Sequence, residues 1–270
     1  MRGYITAAKV ALLWSPLLLA QPDTFHAVWD SLLQRYVWAG RVNAFGIAQE
    51  PSFRAYLDSL AVAVPEQGSR ESQMAFWLNA HNACVVAVLA RHPGLRYAGA
   101  WDSLMRLDTF CIAGEEHTLL SLRDRLRRFG DPLLHFGASG ITQGFPLLAR
   151  RAFTAANLRR QLRENARAFL RSPRGCILDV ESNTLWLSPL FAWYRVDFER
   201  DGRTLLHFVA DYAEPTVAAY IAARQGELRI DFLELDRHTI ARFGPVTTSR
   251  INPLETHSEQ KLRRGSRKRR

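Results

Sequence analysis

Apolar residues first recur at helical spacing at Phe25, Val28, Trp29, Leu32, Leu33 and Tyr36, with Asp23 or Thr24 placed to cap, which predicts an amphipathic first helix. Pro51 opens a second helix carrying Phe53, Tyr56, Leu57 and Leu60, followed by a loop at VPEQGSRE. From about Ser72 to Leu89 the chain is apolar on nearly every side until Pro93-Gly94 stops it, so this helix is expected at the centre of the fold. DTFCIA at 108–113 reads as a short strand turning at Gly114-Glu115-Glu116. A helix over 118–128 then turns Leu119, Leu122 and Leu126 inward and four arginines outward. The Gly-rich, Pro-bounded segment 131–148 is expected to be an irregular, partly buried loop. Thr154 caps a long helix whose buried stripe is Leu158, Leu162, Ala166, Phe169 and Leu170. CILDV and TLWLS alternate across Glu181-Ser182-Asn183 as a β-hairpin, helices follow at about 203–212 and 215–224, and a last strand lies at 227–233. With no internal repeats, the pattern predicts an α+β fold: a mainly helical single domain with a small antiparallel β-sheet.

Composition changes this picture at the two ends. The 270 residues carry a formal charge of +10, of which the first 20 hold +2, residues 255–270 hold +5 and the body only +3. The excess is therefore terminal and does not mark a nucleic-acid-binding domain. MRGYITAAKVALLWSPLLLAQP has two positive charges, then an apolar run from Val10 to Ala20, the form of a secretory signal peptide cleaved after Ala20. The run is shorter than the roughly 20 residues of a membrane span, although an uncleaved anchor or an ordinary first helix remains the alternative. Residues 1–20 are thus read as signal, 21–250 as the domain and 251–270 as a disordered basic tail, and the location as periplasmic or secreted. The tail is either a solvated terminus or a patch that adheres by charge to an anionic envelope surface; without aromatics it predicts no specific nucleic-acid binding. Cys84, Cys111 and Cys176 allow one disulfide and one leftover thiol, with the pairing open.

Three patches combine aromatics with Asn or His: AFWLNAHNACVVAVLARHP at 75–93, GDPLLHFGASGITQGFPLL at 130–148 and LSPLFAWYRVDF at 187–198. In that order they resemble the motifs FWINxYNA, DPRIHFALxCxxxxCP and LSxxFxWYxxDF of the domain-of-unknown-function 547 family. The resemblance covers about 25–235. It implies a Cys/His arrangement in the middle motif, the kind a thiol hydrolase or transferase uses. His135 and Pro146 match the pattern. This chain has Gly140 and Phe145 where the two cysteines align, Leu133 in place of an arginine, Arg123 in place of a glutamate and His81 in place of a tyrosine.

Two functional expectations follow. The first is an exported, catalytically degenerate family member that acts as a binding or scaffolding protein, with Asn79, His81, Asn82, Trp193, Tyr194 and Asp197 as the binding set. Asn79 and Asn82 would either fix the 131–148 loop through its backbone or contact a ligand, since polar groups in so apolar a helix need partners. Trp193 and Tyr194 are the expected walls of any cleft, the alternative being a core-sealing segment with an Arg195–Asp197 ion pair. The second expectation is a hydrolase or transferase in which His135 works with Ser139, or with a displaced thiol at Cys84. Ser139 lacks the second glycine of a nucleophile elbow, an Asp131–His135–Ser139 triad needs a loop geometry that sequence does not give, and Cys84 in ACVVAVL has the setting of a core thiol. No cofactor is implied. Histidine and cysteine spacing marks no metal site; His207 and Asp211, four apart, are only two candidate ligands.

Overall fold

The computed structural model describes residues 23–99, 101–224 and 226–242. The expected signal and basic tail lie outside them. Helix α4, Arg70–Arg91, starts at Ser69, whose hydroxyl accepts the Ser72 N–H, and every residue from Met74 to Leu89 is buried. Length and composition alone would let it cross a membrane, but here its surface is covered by protein.

Of the three helices before it, α1 Ala27–Tyr36, α2 Ala44–Ala48 and α3 Pro51–Ala61, α2 packs on α4, and α1 and α3 pack on α2 and on each other. A 3₁₀ turn, Asp23–His26, precedes α1, so the cap position is His26, without a capping side-chain bond, in place of the expected Asp23 or Thr24. Sequence periodicity missed α2 and the two-residue strands β1, Val37–Trp38, and β2, Arg41–Val42, because both are shorter than one period of any pattern. Downstream come α5 Trp101–Leu107, then β3 Phe110–Ile112 and β4 Glu115–His117, an antiparallel pair. Glu115 and Glu116, expected in the turn, belong to β4; the reversal is at Ala113-Gly114, both with positive φ.

On the other side of α4 packs α6, Leu119–Arg127, opened by a Thr118–Ser121 capping box. Leu119, Leu122 and Leu126 face inward as expected, but so does Arg123, at 1% exposure. The expectation of four outward arginines is corrected at that position. After α6, Asp131 caps a 3₁₀ turn, Pro132–Phe136, and the chain to Leu148 is irregular and mostly buried. Helix α7, Leu158–Leu170, buries the five residues of the expected stripe; Asn157 holds its cap position, and Thr154 accepts the Asn157 N–H one turn earlier.

Strands β5 Cys176–Asp179 and β6 Thr184–Leu187 form the expected hairpin. The short helices α8 Pro189–Trp193 and α9 Arg195–Phe198 follow, then α10 Leu205–Tyr212 and α11 Pro215–Arg224. The last strand, β7 Arg229–Phe232, joins β6 in parallel, so this three-stranded sheet is mixed while the two smaller ones are antiparallel. Residues beyond β7 run back over the molecule, with Ala98 bonding to Arg237, Gln143 to His238 and Val42 to Ile240 through the backbone. The result is the expected mainly helical α+β architecture, with small sheets at its edges and one continuous buried cluster centred on α4.

Candidate functional site

The three patches meet where α4, α6, the 131–148 segment and α8–α9 converge, and the two asparagines of α4 hold this arrangement through backbone groups. Asn82 Nδ2 donates to the Gly137 carbonyl at 2.9 Å, and its Oδ1 accepts the Ser139 N–H at 2.9 Å. Asn79 repeats the device on the next segment, donating to the Phe153 carbonyl at 2.8 Å and accepting the Phe153 N–H at 2.9 Å. An amide is suited to this, because it offers a donor and an acceptor side by side, as a peptide group does.

His135, on the 3₁₀ turn, is 4% exposed and donates from Nε2 to Asp197 of α9 at 3.0 Å. Arg127 and Arg200 reach the same carboxylate, at 2.6 and 2.8 Å. Burial works to raise the Asp197 pKa, but the hydrogen bonds from His135 and Arg127 outweigh it and hold the carboxyl well below the usual range. His135 itself is kept neutral mainly by burial, with the nearby Arg123 charge adding to that effect and Asp197 opposing it. Its ring lies 4.5 Å from that of Tyr194. The Tyr194 ring also has Arg127 at 5.2 Å and Arg123 at 5.8 Å.

Arg123 is the site residue that sequence reasoning placed wrongly. Its guanidinium donates from Nη2 to the Ala138 carbonyl at 3.1 Å and lies 5.2 Å from the Phe145 ring. Among the described residues, Nε and Nη1 have no hydrogen-bond partner and no carboxylate pairs with the charge. The signal was present: position 123 is four residues after Leu119, on the same helical face as Leu122 and Leu126.

The two positions aligned with the family's cysteines face each other. A Cβ built on Gly140 would lie 2.5 Å from the Phe145 Cβ and 2.7 Å from its Cγ. The Phe145 ring thus occupies the space of a side chain at 140, and glycine there is required by this close approach. Two cysteines at these positions would be neighbours, but with their Cβ atoms closer than the roughly 3.5–4.5 Å that a disulfide uses, so a bridge there needs the loop to open by about 1 Å.

The residues expected to react are not brought together. Ser139, 1% exposed, donates its hydroxyl to the Gly140 carbonyl at 3.1 Å, and among the described residues no hydrogen bond links it to His135. Asp131 accepts the Leu133 N–H and pairs with Arg159, so the Asp131–His135–Ser139 triad does not form. Cys84 is fully buried, burial pushes its thiol far up, and it makes no bond to His81. His81 Nδ1 lies 3.3 Å from Asn82 Oδ1, and burial with the Arg123 charge lowers its pKa to about 3. Trp193 is 47% exposed, its ring 5.7 Å from that of Phe145, while Tyr194 is buried. Arg195 pairs with Glu199 and leaves Asp197 to His135, Arg127 and Arg200, so the expected local Arg195–Asp197 pair does not form. Elsewhere, His207 caps α10 with Thr204 and Asp211 pairs with Arg203. Among the described residues no disulfide forms: Cys84 is buried, Cys176 half-buried and Cys111 exposed.

A separate cavity of about 520 Å³ opens at the far end of α4, lined by Phe53, Leu57, Ala87, Arg91, Phe110 and Cys111 among others. From Asn79 to Ala90 the helix advances roughly 16 Å at 1.5 Å per residue, so this cavity is distinct from the junction of the three patches.

Fold and junction define a mainly helical α+β domain with a His–Asp–Arg cluster sealed by aromatics. Residues 65–170 match the family model described as Protein of unknown function, DUF547. The match takes in the first two patches; the third lies beyond it. No curated protein and no solved structure matches the chain.

Proposed function

We propose that this chain is an exported, catalytically silent member of its family that works by binding or scaffolding. One observation carries the reading. Phe145 fills the space facing Gly140 and lies against the buried Arg123, so the two positions aligned with a reactive cysteine pair are a plug of ring and guanidinium. The neighbouring groups are committed elsewhere: His135 to Asp197, and the Ser139 hydroxyl to a backbone carbonyl. A general base needs a nucleophile within about 3 Å of the proton it takes, and neither Ser139 nor Cys84 has that relation to His135. The partially exposed Trp193 marks where a partner would meet the junction from outside.

Export rests on the signal-like first 20 residues, and fractionation of cells expressing the full chain tests it: recovery in the cytoplasm with the first 20 residues intact would overturn it. Adhesion of the basic tail to an anionic envelope surface is part of the same reading, and added salt should reverse it. Silence is tested by exposing the pure protein to a fluorophosphonate. Labelling of Ser139 that disappears in His135→Ala would reverse the conclusion.

A further inference from the structure

Arg123 is a charge buried to 99%, and the protein gives it too little. It has one backbone acceptor and two aromatic faces, yet among the described residues Nε and Nη1 donate to nothing and no carboxylate balances it. An isolated buried charge is strongly unfavourable, and cation–π contacts recover only a part of the cost.

A second buried group beside it is also unpartnered. His81 Nε2, on a fully buried side chain, has no hydrogen-bond partner among the described residues. Asn82 Oδ1 is an acceptor, since it takes the Ser139 N–H, so the His81 Nδ1 3.3 Å away carries the proton and Nε2 presents a bare lone pair. Asn82, whose Oδ1 lies beside His81, holds the Gly137 carbonyl and the Ser139 N–H, and Arg123 donates to the Ala138 carbonyl between them, so both groups meet the same three residues of the loop. The site thus offers guanidinium N–H donors for an anionic oxygen and an imidazole acceptor for a hydroxyl proton.

From this pairing we infer that Arg123 and His81 form an internal site for a small oxyanion of the carboxylate or bicarbonate kind, walled by Phe145 and Tyr194. The anion's oxygen takes N–H bonds from Arg123; the hydroxyl of bicarbonate donates to His81 Nε2, while a carboxylate, which has no proton to give, is met there by an N–H that His81 gains by taking up a proton from solvent. Trp193, half-exposed against Phe145, is the outer wall between this site and solvent. The inference rests on the reading of the chain as a binding protein and names what it binds.

The test uses the full-length protein and three probes, sodium formate, acetate and bicarbonate, against chloride at equal ionic strength. The Arg123 Nε–H resonance in a ¹H–¹⁵N spectrum should shift saturably with at least one probe. For a millimolar site the unfolding midpoint should rise by roughly 5 °C between 1 and 100 mM anion. Arg123→Met, which keeps the unbranched apolar stem and removes the charge, should fold at least as well without anion and lose the dependence. Arg123→Lys should retain a weakened dependence. No shift with any probe, or the same dependence in Arg123→Met, overturns the site and leaves only trapped water beside Arg123. Fluorophosphonate labelling of the same samples separates the two claims: an adduct at Ser139 alongside saturable anion binding sinks catalytic silence alone, and no adduct with no binding sinks the anion site alone.

Discussion

Replacing Asn82 by leucine keeps the size of the side chain and removes both bonds to the loop. The Gly137 carbonyl and the Ser139 N–H then face a hydrocarbon in a position 2% exposed, where water does not replace the lost partner. Each orphaned backbone group costs about 1–3 kcal/mol, so the pair costs about 2–6 kcal/mol. For a domain of this size that lowers the melting midpoint by roughly 5–20 °C. Urea unfolding followed by circular dichroism measures it, with an unchanged m-value showing that the folded and unfolded states are otherwise comparable. Asn79→Leu, which orphans the N–H and C=O of Phe153, should cost a similar amount. A loss below about 1 kcal/mol for Asn82→Leu at constant m would refute the idea that these amides clamp the loop.

Three further outcomes are expected. Gly140→Ala forces a Cβ to within 2.5 Å of the Phe145 Cβ and should destabilise by about 1–3 kcal/mol. In Gly140→Cys combined with Phe145→Cys the ring is gone, the loop can open by the roughly 1 Å that separates the 2.5 Å Cβ approach from disulfide geometry, and a bridge should form on oxidation, seen as a 2 Da loss in the intact mass of the pair (about 1 Da per thiol hydrogen); two free thiols under oxidant would show that the loop holds its spacing. Stability should also fall in mild acid. Burial lowers the pKa of His26 to about 4 and of His81 to about 3, against about 6.5 in the unfolded chain. Below pH 6.5 the unfolded state takes up protons that the folded state refuses, so stability is full above about pH 6.5 and declines as pH falls towards those folded values. Each histidine contributes a slope approaching about 1.4 kcal/mol per pH unit, and His26→Asn should remove one share of it; an unchanged slope in that variant would count against a buried neutral His26. Asp197 adds a separate loss at lower pH, because its depressed folded pKa stabilises above the unfolded value near 4 and is lost as pH falls through the folded one.

Much of the architecture was legible because its helices carry long periodic patterns. The all-round apolarity of 72–89 correctly announced a central helix, and the stripe from Leu158 to Leu170 is buried at each named position. What periodicity cannot carry was missed. The β1–β2 pair and α2 are too short, and the parallel partnership of β7 with β6 depends on a contact about 45 residues away in the chain. The site was legible as a set of residues and not as a set of partners. His135 and Asp197 each stood in a recognisable motif, but their bond spans 62 residues and no spacing rule connects them. Arg123 was read by its charge and not by its place in the period, and the period was right. In a helix that buries Leu119, Leu122 and Leu126, the residue at 123 is carried inward with them, and the Phe145 and Tyr194 rings are what receive it.

The most direct test of catalytic silence is intact-mass spectrometry after brief native exposure to iodoacetamide and a fluorophosphonate, with the adducts mapped to peptides. The exposed Cys111 should be alkylated regardless of His135, the fully buried Cys84 should react only after denaturation, and no phosphonate adduct should form. A single rapid adduct at Ser139 or Cys84, lost in His135→Ala while the fold is retained, would contradict catalytic silence and identify the nucleophile of a working enzyme.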